Sequence, residues 1–186
     1  MGTGMTLKPD SSRTIGGAAS SGREDWYDTA QICIEGHPIN CMSVSSPEHN
    51  RKFCRKCGAK TITSCENCSA PIKGFYHDPW ASRPGNLSWF TPRSFCDNCG
   101  KPYPWTEAKL KAAREFSEMQ EGLSAEEREM LKKSLDDIVR DTPQTTVAAT
   151  RFKKLVAKAG QVTAQGFRDI LVDIASETAK KLIWPS

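Results

Sequence analysis

The chain has no stretch approaching the roughly 18 consecutive apolar residues that a membrane-spanning helix needs, which excludes a transmembrane segment. Its N-terminus lacks the apolar core of a secretory signal, and this points to a cytoplasmic protein. Apolar residues supply 38% of the 186 positions and aromatics 8%, too few for a large enclosed ligand pocket, so the core must be modest or helped by something else. No Ser-His-Asp set, catalytic acid pair, glycine-rich phosphate loop or nucleophile elbow appears, which argues against an enzyme. Charge of one sign is not scarce either: 26 basic side chains against 22 acidic leave a net +4, only a weak hint of nucleic acid.

What is present is unevenly placed. Residues 1–25 are rich in Gly, Ser and Thr and cannot offset their ordering entropy, so a disordered tail is expected there. Residues 26–105 hold all eight cysteines, all three histidines, eight of eleven prolines and four of five tryptophans. Residues 106–186 contain no cysteine or histidine and carry helical periodicity almost throughout. Three regions follow: a tail, a metal-organised module over 26–105, and a helical domain over 106–186.

Without an export signal, eight cysteines read as metal ligands rather than disulfides. Three pairs share one spacing: Cys54-x-x-Cys57, Cys65-x-x-Cys68 and Cys96-x-x-Cys99. Two ligands held two residues apart can grip one ion from a tight turn, and Gly58 and Gly100 supply the left-handed backbone that such a knuckle favours. The fourth half-site is Cys33 with either His37 or Cys41; Gly36 gives the His37 turn the same kind of freedom and favours it. Phe53-Cys-x-x-Cys-Gly58 echoes Phe95-Cys-x-x-Cys-Gly100, marking each as the second half of a ribbon. Sequential pairing then gives Cys33, His37, Cys54 and Cys57 as one site and Cys65, Cys68, Cys96 and Cys99 as the other, in place of a RING-like cross-brace. Four ligands per site leave no open position, so two structural Zn2+ ions are expected. Iron–sulfur is the rival for the four-cysteine site. His49 and His77, outside the knuckles, read as polar loop residues.

The long segment between Cys68 and Cys96 mixes Phe75, Tyr76, Trp80, Trp89 and Phe90 with Lys73, Arg83 and Arg93. Three readings stand: a local mini-core, a protein-binding surface, or a platform for unpaired bases. Arg51, Lys52, Arg55 and Lys56 form a second basic cluster. The candidate contact residues are therefore Arg51, Lys52, Arg55, Lys56, Lys73, Tyr76, Trp80, Trp89 and Arg93. In the last region Thr106 is a candidate cap, Ser124-Ala-Glu-Glu127 a capping box, and Pro143 a first-turn proline. About four amphipathic helices can bury one another, with docking or dimerisation as a further use of their apolar faces. The fold class is a small metal-stabilised α+β protein, tandem zinc ribbons of short β-hairpins followed by an α-helical bundle.

Tyr27-Asp-Thr-Ala-Gln-Ile-Cys33, Gly36-His37, Lys52-Phe-Cys-x-Lys-Cys-Gly58, Phe95-Cys-x-Asn-Cys-Gly-Lys-Pro-Tyr-Pro-Trp-Thr-Glu-Ala108 and Arg168-Asp-Ile-Leu-Val-Asp-Ile-Ala175 together resemble an uncharacterised family of bacterial zinc-ribbon proteins. Arg140-Asp-Thr-Pro143 and Ala148-Ala-Thr-Arg-Phe-Lys-Lys-Leu155 extend the likeness, which covers about residues 26–185. It implies a bacterial, cytosolic, metal-bound protein with a companion helical region, and brings no activity with it.

Metal also changes the charge. The surplus sits in residues 31–105, with nine basic and five acidic side chains. Three thiolates and a dication leave −1, and four leave −2, so loading both sites takes the chain from +4 to +1. The general argument for nucleic acid weakens, leaving only local clusters. The expected function is therefore a non-enzymatic, zinc-binding adaptor with a protein partner, ahead of nucleic-acid binding and of a zinc enzyme.

Overall fold

The computed structural model describes residues 25–78 and 90–185. The expected tail, apart from Asp25, and the candidate contacts Trp80 and Trp89 lie outside the described residues. Five short strands come first: β1 (Trp26–Thr29), β2 (Gln31–Cys33), β3 (Pro38–Asn40), β4 (Thr61–Ile62) and β5 (Lys73–His77). Among the described residues five α-helices follow: α1 (Pro104–Glu118), α2 (Ala125–Ile138), α3 (Pro143–Ala159), α4 (Gln161–Leu171) and α5 (Glu177–Ile183).

The strands form two antiparallel sheets, ordered β3-β2-β4 and β1-β5. The two ribbons are thus not strictly sequential, since the first strand of the chain pairs into the second ribbon. In the β1–β5 pair the register slips between Tyr27 and Thr29, opposite Gly74 and Phe75. The slipped segment turns the Phe75 amide to the Cys41 carbonyl at 2.8 Å. Gly74 permits this approach, because a Cβ there would lie 2.2 Å from that carbonyl oxygen.

Beside the slip, Asp28 is 1% exposed and accepts from the amides of Thr29, Val44 and Ser45 at 2.6, 3.0 and 3.2 Å. His77 Nε2 lies 3.2 Å from the same carboxylate. Burial pushes the carboxyl up, but the bonds from Ser45, Val44, His77 and Thr29 outweigh it and hold the pKa below the ordinary value. His77 therefore sits on β5 as a structural partner of Asp28, not in a polar loop.

The helical half has one more helix than the periodicity predicts. The apolar spacing from Phe167 to Ile183 is continuous, yet the chain breaks after Leu171 and restarts at Glu177. Ser176 causes the restart: its hydroxyl accepts from the Ala179 amide at 3.2 Å, and its own amide donates to the Ile138 carbonyl at 2.9 Å. One bond starts α5, and the other satisfies the last turn of α2. α1 also starts three residues early, capped at Tyr103 in place of Thr106 and with Pro104 in the first helical position. Thr106 is already inside it and donates its hydroxyl to the Ser94 carbonyl at 2.8 Å. The Ser124 capping box forms as expected, with Ser124 N bonded to Glu127 Oε2 at 2.9 Å and Glu127 N to Ser124 Oγ at 3.3 Å.

The bundle closes around Phe152 and Phe167, both fully buried, with ring centroids 5.2 Å apart and edge-to-face, and Phe116 on the other side of Phe167 at 4.8 Å. Leu131, Leu135, Ile138 and Leu171 complete the centre. The same apolar cluster continues through Trp105 and Tyr103 to Ile72 and Ile32 beneath the ribbons. Tyr103 and Trp105 stack at 4.6 Å, and Trp105 Nε1 donates to the Arg93 carbonyl at 2.9 Å. Helices and ribbons share one core at this joint.

Candidate metal centre

Three knuckles are built on one backbone plan. In each, the amide of the first cysteine bonds the carbonyl five residues on, and the amide four residues on returns to that cysteine's carbonyl. Cys54 pairs with Ala59 and Gly58, Cys65 with Ala70 and Ser69, and Cys96 with Lys101 and Gly100, all at 2.8–2.9 Å. The residue after the second cysteine is left-handed each time: Gly58 at φ 73°, Ser69 at φ 60° and Gly100 at φ 68°. Such a turn aims both thiols to one side. The fourth half-site is tighter: Gly36 N bonds Cys33 O at 2.8 Å, and Cys33 N bonds His37 O at 3.0 Å, with Gly36 at φ 88° against the Trp105 side chain.

These turns bring together Cys33, His37, Cys54 and Cys57 in one group and Cys65, Cys68, Cys96 and Cys99 in another, the donor atoms in each lying within 4.8 Å of one another. Pairing is sequential, and Cys41 belongs to neither group: it is buried beside β5, where burial raises its thiol pKa. The donor spacing can be tested against a tetrahedral ion. Metal–sulfur bonds of about 2.3 Å at the tetrahedral angle put sulfurs about 3.8 Å apart, and a sulfur and a nitrogen at about 2.05 Å lie about 3.6 Å apart. Cys33–Cys57 is 3.8 Å, Cys65–Cys99 3.8 Å and Cys68–Cys96 3.7 Å. His37 Nδ1 lies 3.5 Å from the Cys33 sulfur and 3.6 Å from the Cys54 sulfur. Both tetrads fit, and each could hold one metal ion.

Donors to the sulfurs prepare them for that charge. The amide of His37 reaches Cys33 Sγ at 3.2 Å, and the amide of Lys56 reaches Cys54 Sγ at 3.4 Å. In the second site the arrangement is reciprocal: Asn67 Nδ2 donates to Cys99 Sγ at 3.4 Å, and Asn98 Nδ2 to Cys68 Sγ at 3.5 Å. The Asn67 side chain and the Lys101 amide draw the Cys99 thiol down to about 6, whereas burial pushes Cys33 and Cys65 up. Amide donors of this kind fix ligand direction and favour thiolate. The asparagines were legible as a repeated Cys-x-Asn-Cys in both pairs of the second ribbon, a pattern that the cysteine spacing overshadows.

The candidate contact residues separate into two places. Lys73 and Arg93 both pair with Asp97, at 3.0 and 3.3 Å, and Lys73 also lies 5.2 Å from the Tyr27 ring centre. The Tyr76 hydroxyl donates to Asp25. Arg51, Lys52, Arg55 and Lys56 surround Phe53 on the first ribbon; Arg51 is half-buried and the other three are exposed. The two clusters are on different ribbons.

Two closed tetrads on short hairpins, followed by packed helices, define a tandem zinc-ribbon fold with a helical companion. The chain belongs to the bacterial family described as "Uncharacterized protein conserved in bacteria (DUF2321)", whose sequence model matches residues 26–183. No curated protein and no solved structure matches it. Among the described residues, no helix is long and apolar enough to cross a membrane.

Proposed function

We propose that this protein is a non-enzymatic interaction module in which two structural zinc ions hold the ribbons and the ribbons present the contact surface. The observation that carries this reading is closure: each tetrad supplies four protein donors within 4.8 Å of one another, so an ion bound by all four would keep no position for water or substrate. Three sulfurs with one nitrogen suit zinc better than an iron–sulfur cluster, and the same knuckle geometry recurs in the all-sulfur site. A reducing compartment such as the cytoplasm would keep these thiols free for metal. The helices bury their apolar stripes in the chain's own core, which favours the ribbons over the bundle as the docking surface.

Elemental analysis of the purified chain should find about two zinc ions, and a strong chelator should abolish the ribbon structure, because metal binding supplies folding free energy. His37→Ala should lose one ion while the second site stays loaded. Fewer than two ions, or a fold indifferent to chelation, would overturn the structural-zinc assignment. A hydrolytic or transfer activity lost on metal exchange would overturn the non-enzymatic one.

A further inference from the structure

Phe53 is 64% exposed, although it immediately precedes a metal ligand and its backbone is held by an antiparallel bridge to Lys60. Its side chain lines an open groove of about 370 Å³ together with Ile39, His49, Arg51, Arg55 and Lys56. Two properties mark this place. First, among the described residues Phe53 makes no ring contact, whereas Trp26, Tyr27, Phe75, Tyr76, Tyr103 and Trp105 all do. Second, among the described residues Lys52, Arg55 and Lys56 make no ion pair, while Lys73 and Arg93 of the second ribbon are tied to Asp97. Arg51 is positioned by bonds from Nη1 to the carbonyls of Glu48 and Asn50 at 2.9 and 2.7 Å, and these leave its charge unneutralised. Glu48, which adjoins the groove residue His49, lies 3.5 Å from its ring nitrogen.

An exposed ring on a rigid knuckle, flanked by unpaired cations, offers a face to a planar group and charge to its anionic neighbours. We propose that the first ribbon binds single-stranded nucleic acid, with one unpaired base stacking on Phe53 and adjacent phosphates meeting Arg51, Arg55 and Lys56. An acidic peptide would satisfy the cations but has no regular planar group for the ring, and a duplex keeps its base faces covered. With the metals bound the whole chain carries little net charge, so binding draws on this local cluster and not on a long-range field. The proposal rests on the reading of the ribbon as a zinc-held binding surface.

The test uses the full, zinc-loaded chain and a fluorescein-labelled oligothymidylate or oligouridylate of about 12 nucleotides, followed by anisotropy. Three or four phosphate contacts predict that raising salt from about 50 to 200 mM weakens binding by about 20- to 50-fold. Phe53→Ala should weaken it by about 5- to 150-fold and Phe53→Trp should restore it. The double variant Arg55→Ala, Lys56→Ala should flatten the salt dependence, and Lys73→Ala should leave both affinity and slope unchanged. Each variant is first checked for two zinc ions per chain and an unchanged circular dichroism spectrum. No binding at low salt by the loaded protein, equal affinity in Phe53→Ala, or equal competition by a duplex or a polyglutamate peptide would overturn the proposal and leave the zinc module standing. Loss of the zinc stoichiometry itself would instead overturn the module on which it rests.

Discussion

The three knuckles contain a built-in comparison, because two of them place glycine in the left-handed turn and the third places serine. Ser69 adopts φ 60°, against 73° for Gly58 and 68° for Gly100. A left-handed backbone costs a residue with a Cβ about 1–2 kcal/mol. Glycine gives back about 0.5–1 kcal/mol of that through the greater freedom of its unfolded chain. The net difference is about 0.5–1 kcal/mol, with opposite signs at the two kinds of position. Nothing within 4 Å would meet a Cβ at Gly58 or Gly100, so the backbone conformation is the only contribution. Ser69 is exposed, and removing its side chain empties no core. Gly58→Ala and Gly100→Ala should therefore each weaken zinc binding, and Ser69→Gly should strengthen it. Where metal binding and folding are one process, the effect reads as about a 2- to 5-fold change in zinc affinity per site. Competition with a chromophoric chelator at fixed pH measures it. Equal affinities for the glycine-to-alanine variants, or a weaker site in Ser69→Gly, would refute the left-handed turn as the shared device of the knuckles.

Gly74→Ala would place a Cβ 2.2 Å from the Cys41 carbonyl oxygen and 2.9 Å from the Ala30 nitrogen, both backbone atoms. We expect a loss above about 2 kcal/mol in urea unfolding, and a variant as stable as the parent would contradict the close packing of β5 on β1. Asp28 has a folded pKa below its ordinary 3.8, so its contribution is present above that value and is lost as pH falls through the lower folded pKa. Since thiolates also take up protons in acid, the reading is the stability gap between the parent and Asp28→Asn: wide near neutral pH and narrowing below about pH 4. A gap that stayed flat in acid would remove Asp28 as a carboxylate anchor. Phe167→Ala deletes a fully buried ring between Phe116 and Phe152 and should cost about 3–5 kcal/mol by denaturant titration; a cost under about 1 kcal/mol would place the bundle core elsewhere.

The cysteine spacings carried the grouping of ligands because metal geometry is local: two donors two residues apart nearly fix their own turn, and the shared Phe-Cys-x-x-Cys-Gly indicated which halves belong together. The capping box at Ser124 and the proline start of α3 were legible for the same reason, since each is decided within four residues. Long-range pairing was not. β1 joins β5 across more than forty residues, and nothing in Trp26-Tyr-Asp-Thr29 specifies that partner. Asp28 reads as an ordinary surface acid until the Val44 and Ser45 amides fold over it. The break before α5 was hidden by an apolar period that runs through it; the Ser176 cap on Ala179 and the tertiary bond from Ser176 to Ile138 together favour the interruption. Nor could sequence separate basic residues already paired with Asp97 from those on the first ribbon that have no acid partner among the described residues.

The crossing of β1 into the second ribbon bears on what the metals hold together. β1 ends at Thr29, and β2, which carries Cys33, starts at Gln31; Ala30 between them donates its amide to Ile72 at 2.7 Å. The Ser43 amide returns to Thr29, and the Phe75 amide reaches Cys41, so segments flanking both tetrads are sewn through the same few residues. On the helical side, Trp105 packs against Gly36 of the first half-site, while Tyr103, four residues beyond the second-site residue Cys99, stacks on Trp105. A chain with 38% apolar residues has little core to spend on holding two small ribbons separately. Sharing strand, loop and aromatic joint lets one bundle core brace both metal sites. The first ribbon could then leave a phenylalanine, and cations without an acid partner among the described residues, at its surface, because an ion held in the tetrad would brace it without burying that ring.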